Sequence, residues 1–198
     1  MDGDVGLAFT APVWTLPSRR QVLNQETALL PPHIRQCIAF LKRVASLRVS
    51  PTSSAKSYVI HVTLDASDDN SDSSTSSSAF SVERTLDEFK ELRHVLVHWA
   101  SKHEELHPRY GVGPCAFCTA FTCNAAHAQW PKSGLGSLLL SSPSKRADAF
   151  QNALMAYVAV ARSPNLLVRR GAVRCEGVEH VPSILTRFLL KDVDQSTI

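Results

Sequence analysis

The stretch Phe80 to Trp99, FSVERTLDEFKELRHVLVHW, changes its hydrophobic period part-way along. Phe80 and Val82 alternate with Ser81 and Glu83, as in a half-buried strand. Leu86, Phe89, Leu92, Val95, Leu96 and Trp99 then recur at three- and four-residue spacing, which lays them along one helix face. Between the two periods stands Thr85-Leu86-Asp87-Glu88, a capping-box pattern with acidic side chains in the first turn. A strand that runs straight into a capped helix makes a rigid corner, and Arg84 stands at it. The local pattern prefers Thr85 as the cap.

The chain upstream supplies partners for such a strand. Val44–Val49 and Tyr58–Leu64 read as two strands separated by the turn-rich run Ser50-Pro51-Thr52-Ser53-Ser54. In the second, Tyr58, Ile60, Val62 and Leu64 share a face, as an antiparallel strand with one wet side requires. Residues 66–78, ASDDNSDSSTSSS, cannot bury apolar area and read as an acidic, Ser-rich loop. Ahead of the strands, residues 1–42 form an extension, with Ile34, Cys37, Ile38 and Leu41 at helical spacing near its end. Downstream, Ser142-Pro143 opens a helix to about Arg162, with Phe150, Leu154, Tyr157, Val158 and Ala161 on its buried stripe. Three strands followed by helices define an α+β class: a three-stranded antiparallel sheet packed against a helical subdomain.

Composition excludes several functions. A length of 198 residues, 44% hydrophobic and 20% charged, suits one globular domain with tails. A net charge of +3 is too small to imply a nucleic-acid partner, and none is expected. No apolar run is long enough to span a bilayer. Residues 1–16 carry Asp2 and Asp4 and lack a basic start before an apolar core, so no secretory leader is expected. Five cysteines without such a leader point to a reducing, cytoplasmic compartment. Eight histidines are present without a Ser-His-acid arrangement, a phosphate loop or an H-E-x-x-H motif, so no enzymatic activity is expected.

Residues 107–130 hold Cys115, Cys118, Cys123 and His127 in the spacing C-x2-C-x4-C-x3-H. Three thiolates and an imidazole suit tetrahedral zinc. The same cysteines also fit an Ala- and Phe-rich helix as small buried hydrophobes. Both readings stand at the level of sequence.

The order of these segments resembles the PX (phox-homology) family. Arg84-Thr85-Leu86-Asp87-Glu88-Phe89 is similar to the family's basic-basic-aromatic run at the end of the third strand, a match that would put the helix cap at Asp87. Pro131 and Lys132 resemble its proline-rich loop with a lysine. Arg146, Phe150 and Leu154 resemble its Arg-x3-apolar-x3-Leu helix, and Val181–Leu190 its closing helix. The resemblance covers residues 43–190, with residues 107–130 as an insertion and residues 191–198 as a tail.

The resemblance implies a PX-like fold and a phosphoinositide-binding, membrane-recruitment function on endosomal-type membranes, commonly with phosphatidylinositol 3-phosphate as the lipid. Arg84, Lys132 and Arg146 would grip the head group, Lys132 at the bridging phosphate and Arg146 at the inositol hydroxyls. Leu138, Leu139 and Leu140 would dip into the bilayer. This chain departs from the family where Thr85 stands at the phosphate-gripping arginine and Leu86 at the stacking aromatic. Losing one charge-assisted contact costs about 1.5–3 kcal/mol, so an altered or weakened head-group preference is expected. The alternative is a protein–protein interaction domain that keeps the scaffold and has lost the lipid.

Overall fold

In the computed structural model the corner forms where the period changes. The described residues are 30–54, 56–65, 78–106, 115–127, 130, 142–163 and 175–190. Helix α1 (Pro32–Arg43) leads into strand β1 (Val44–Pro51), followed by β2 (Ser57–Leu64) and β3 (Ser78–Thr85). Four helices follow: α2 (Leu86–Leu106), α3 (Ala116–His127), α4 (Pro143–Ala161) and α5 (Glu176–Leu190). The class is α+β, as the order of strands and helices implied.

The strands form one antiparallel sheet in the order β1-β2-β3. Tyr58, Ile60, Val62 and Leu64 of β2 are all fully buried, which fixes the register, because a one-residue slip would turn them to solvent. The β1–β2 register shifts between Val44 and Ser46. That irregularity puts both Val44 and Leu47 on the inner face, although three positions apart they would otherwise face opposite ways. Helix α4 lies against β1, where Val49 N–H donates to Gln151 Oε1 at 3.1 Å and Arg162 Nη1 donates to the Val44 carbonyl at 2.8 Å.

An aromatic cluster joins sheet and helices. The Phe89 and Phe150 rings stack at 4.1 Å, and Tyr58 meets both edge-on. Trp130 and Phe188 close on the same group. Burying each ring fully is worth roughly 1.5–3 kcal/mol. Helix α1 docks on the core through buried Ile34, Ile38 and Leu41, in the segment whose helical spacing pointed to it. Two boundaries move relative to the sequence reading. Helix α2 continues seven residues past Trp99 to Leu106. Helix α5 begins at Glu176, with Pro182 inside it, rather than near Val181.

Candidate functional site

Arg84 pairs with Tyr58 across β2 and β3, so strand alternation turns it to the inner face, where it is 2% exposed. Its guanidinium is committed there. Nε and Nη2 both donate to the Phe188 carbonyl, at 2.9 and 2.7 Å, and Nη1 donates to the Glu83 carbonyl at 2.6 Å. Phe188 lies in the last turn of α5, where helical carbonyls lack intrahelical donors and carry partial negative charge. The Phe188 ring lies 5.4 Å from the cation. Arg84 is therefore a cap for α5, and it tethers the chain's last described helix to the sheet.

Thr85 is the cap of α2, which decides between the two cap positions. Glu88 N–H donates to Thr85 Oγ1 at 3.2 Å, and Thr85 N–H donates to Glu88 Oε2 at 2.8 Å. Both bonds of a capping box are made. A hydroxyl and a carboxylate thus occupy the position at which the resembled family carries a phosphate-gripping arginine. Asp87 instead pairs with Lys90 at 2.7 Å on the surface, and that ammonium holds its carboxyl below the usual range.

The cleft beside Arg84, of about 300 Å³, is lined by Arg84, Glu88, Glu91, Leu92, Val95, Ile184, Arg187 and Phe188. Two carboxylates and two guanidinium groups balance over apolar walls, so its charge favours neither an anion nor a cation.

Arg146 offers a different setting. Ser142 caps α4, accepting from Lys145 N–H at 3.3 Å through Oγ, while its carbonyl accepts from Arg146 N–H at 3.2 Å. This places the Arg146 side chain in the first turn, at the positive end of the helix. It is 8% exposed, and its buried Nε has no hydrogen-bond partner among the described residues. The Tyr58 hydroxyl is likewise buried without a partner among them. Burial raises the Tyr58 phenol above its ordinary value, and the nearby Arg146 charge draws it partly back. Lys132, Leu138, Leu139 and Leu140 lie outside the described residues. Of the three cations expected to converge, Arg84 is turned to a structural task and Arg146 stands beside Tyr58.

The cysteines form a second centre with a different membership from the sequence motif. Cys115, Cys118 and Cys175 bring their sulfurs within 4.8 Å of one another. Cys175 Sγ lies 3.4 Å from Cys115 Sγ and 3.3 Å from Cys118 Sγ. Cys118 is buried at the start of α3, whereas Cys123 is exposed and stands outside the group, so the expected ligand set is corrected at that position. A five-residue step along a helix turns a side chain through about 500°, well away from the first. The His127 side chain lies outside the described residues. Hydrogen bonding to Cys115 first, then to Cys175, together with burial, holds the Cys118 thiol above its usual value. The Cys115 bond foremost pushes Cys175 up to about 11. At neutral pH Cys118 and Cys175 are protonated thiols and poor nucleophiles. Together with Cys115 they are close enough to hold a metal ion.

No described helix is long and apolar enough to cross a membrane. No protein-family model matches the chain, and neither a curated protein nor a solved structure matches it to a significant degree.

Proposed function

We propose that the chain is a PX-like peripheral membrane module that binds a phosphoinositide head group at the mouth of α4, with altered preference. One observation carries this reading. Arg146 is a buried cation at the positive end of a helix, with an unpartnered Nε among the described residues, and an anion would relieve all three costs. Lys132 is the proposed second cation and Leu138, Leu139 and Leu140 the proposed membrane contacts, on the family resemblance. Arg84 and Thr85 are spent on capping, so the grip on a 3-phosphate that the family takes from this corner is missing. Recruitment to endosomal-type membranes belongs to the same proposal. We also take zinc as the ion for the thiol cluster, in a structural role apart from lipid binding.

Sedimentation with vesicles carrying one phosphoinositide at a time, at physiological salt, tests the reading, because loose charge attraction is screened there. Lipid-selective binding that falls tenfold or more on Arg146→Ala, in line with losing a contact worth about 1.5–3 kcal/mol, supports it. Binding that follows total lipid charge and ignores Arg146→Ala refutes it. The second reading, a protein-interaction domain, is favoured by the cleft whose Leu92, Val95, Ile184 and Phe188 offer apolar walls to a partner's side chain.

A further inference from the structure

The N-termini of two helices meet at the three thiols. Cys115 precedes α3, and its carbonyl accepts from Thr119 N–H at 2.9 Å. Cys175 precedes α5, and its carbonyl accepts from Val178 N–H at 3.0 Å and from Glu179 N–H at 3.2 Å. Both cysteines are therefore cap residues, and the positive ends of a 12-residue and a 15-residue helix face one sulfur cluster. Cys118 N–H donates to Cys115 Sγ at 3.4 Å, so the backbone at the start of α3 already turns a donor to the cluster. Gly177 lies in the first turn of α5 against Cys118, where a Cβ would stand only 2.6 Å from the sulfur. The absence of a side chain at 177 is what lets α5 approach so closely.

Resting on zinc as the ion, we propose that Cys115, Cys118 and Cys175 together ligate one Zn²⁺, which fastens the start of α5 to α3. Ligand sulfurs at about 2.3 Å from a tetrahedral zinc are about 3.8 Å apart, a spacing that needs only small shifts from the distances found here. A disulfide would use two of the sulfurs and leave the third over, whereas one ion uses all three. Binding releases three thiol protons to solvent and leaves a net charge of −1, which the two helix ends offset. No fourth Cys, His, Asp or Glu joins the group among the described residues. The sulfurs lie 57 and 60 residues apart in sequence, so the ion would close a long loop and hold down the helix whose other end Arg84 caps.

The test uses the full chain, reduced and stripped with a chelator, then titrated with Co²⁺ and competed with Zn²⁺. One equivalent should bind, with thiolate-to-cobalt charge transfer and the visible bands of a tetrahedral ion. Cys175→Ser should weaken binding at least about a hundredfold, at or beyond the tenfold to hundredfold typical of losing a supporting outer contact. Cys123→Ser should leave it unchanged. Affinity that survives Cys175→Ser but is lost with Cys123→Ser or His127→Ala would overturn this ligand set while sparing zinc. No binding at all would end both. Should Cys175→Ser not fold, X-ray absorption on the zinc-loaded Cys123→Ser chain counts the sulfurs: three at about 2.3 Å support the site, and two or fewer overturn it. Amide exchange in the first turns of α5 should slow on adding Zn²⁺; unchanged exchange in a metal-loaded chain refutes the fastening and leaves the ion.

Discussion

Replacing Gly177 by alanine sets two known effects against each other. Its backbone is not in the left-handed region, so alanine should help α5 by about 0.5–1 kcal/mol through propensity alone. The new Cβ would stand 2.6 Å from Cys118 Sγ and 3.6 Å from Cys175 Sγ. The first contact is about 1 Å short of the range at which non-bonded heavy atoms attract. Cysteine has a single side-chain torsion, and the Cys118 sulfur is already held 3.3 Å from that of Cys175, so the clash passes to the backbone of α3 or α5. Overpacking of this kind costs about 1–3 kcal/mol, and the net expectation is a loss of about 1–2 kcal/mol. Urea unfolding of the reduced, metal-stripped chain measures it. In a Cys118→Ala background the obstructing sulfur is gone, and Gly177→Ala should become stabilising by about 0.5–1 kcal/mol. The double-mutant coupling should therefore be about 2 kcal/mol. A Gly177→Ala chain that is more stable on its own, or a coupling near zero, would refute the packing described at the thiol centre.

Three further outcomes follow from other parts of the fold. Arg84→Met should cost about 2–3 kcal/mol in urea unfolding, since it strands a helix-end carbonyl that now accepts two charged donors; a cost under about 0.5 kcal/mol would show that the cap is idle. Tyr58 has its folded pKa raised above the ordinary 10.0, so its contribution is whole below that pH and is lost as pH rises through the folded value. Tyr58→Phe should therefore move alkaline unfolding to higher pH, while changing neutral-pH stability by less than about 1 kcal/mol because the hydroxyl has no partner among the described residues. Arg146→Leu should leave stability unchanged or raise it by about 1–2 kcal/mol while abolishing vesicle binding, and a large loss of stability would mean that the cation is structural.

Local features of the sequence carried most of the elements. The period change at Phe80–Trp99, the Thr85–Glu88 box and Ser142-Pro143 each act over a few residues, and each formed where its spacing put it. The misplaced boundaries have separate causes. Pro182 ordinarily ends or opens a helix, so the turn ahead of it in α5 was not legible; burial of Val178 and Val181 outweighs the lost backbone bond. The polar run after Trp99 carries no apolar period, yet α2 continues through it, with Lys102 stacked on Trp99 at 4.1 Å. Cys175 was illegible for a stronger reason. Ligand spacing such as C-x2-C is a local signal, and a third sulfur 57 residues on is brought in only by the packing of α5. The commitment of Arg84 was half legible: alternation turned it inward with Val82, but the carbonyl it finds belongs to residue 188.

Helix α5 ties these observations together, because a polar anchor acts on each of its two ends. A buried guanidinium from β3 caps its C-terminal turn, and a sulfur cluster shared with α3 meets its N-terminal turn. Between them Val178, Val181, Leu185 and Leu189 bury one face. Apolar contact alone would allow this helix to slide along its axis with little penalty, since one aliphatic side chain replaces another. The anchors remove that freedom: a slip of one turn, about 5.4 Å, would part Phe188 from Arg84 and Cys175 from Cys118 at once. The cleft beside Arg84 is walled on one side by Ile184 and Phe188 of this helix, so its shape depends on the same register. Whatever loosens the thiol end should therefore be felt at the cleft, along the buried face that the two ends of this helix share.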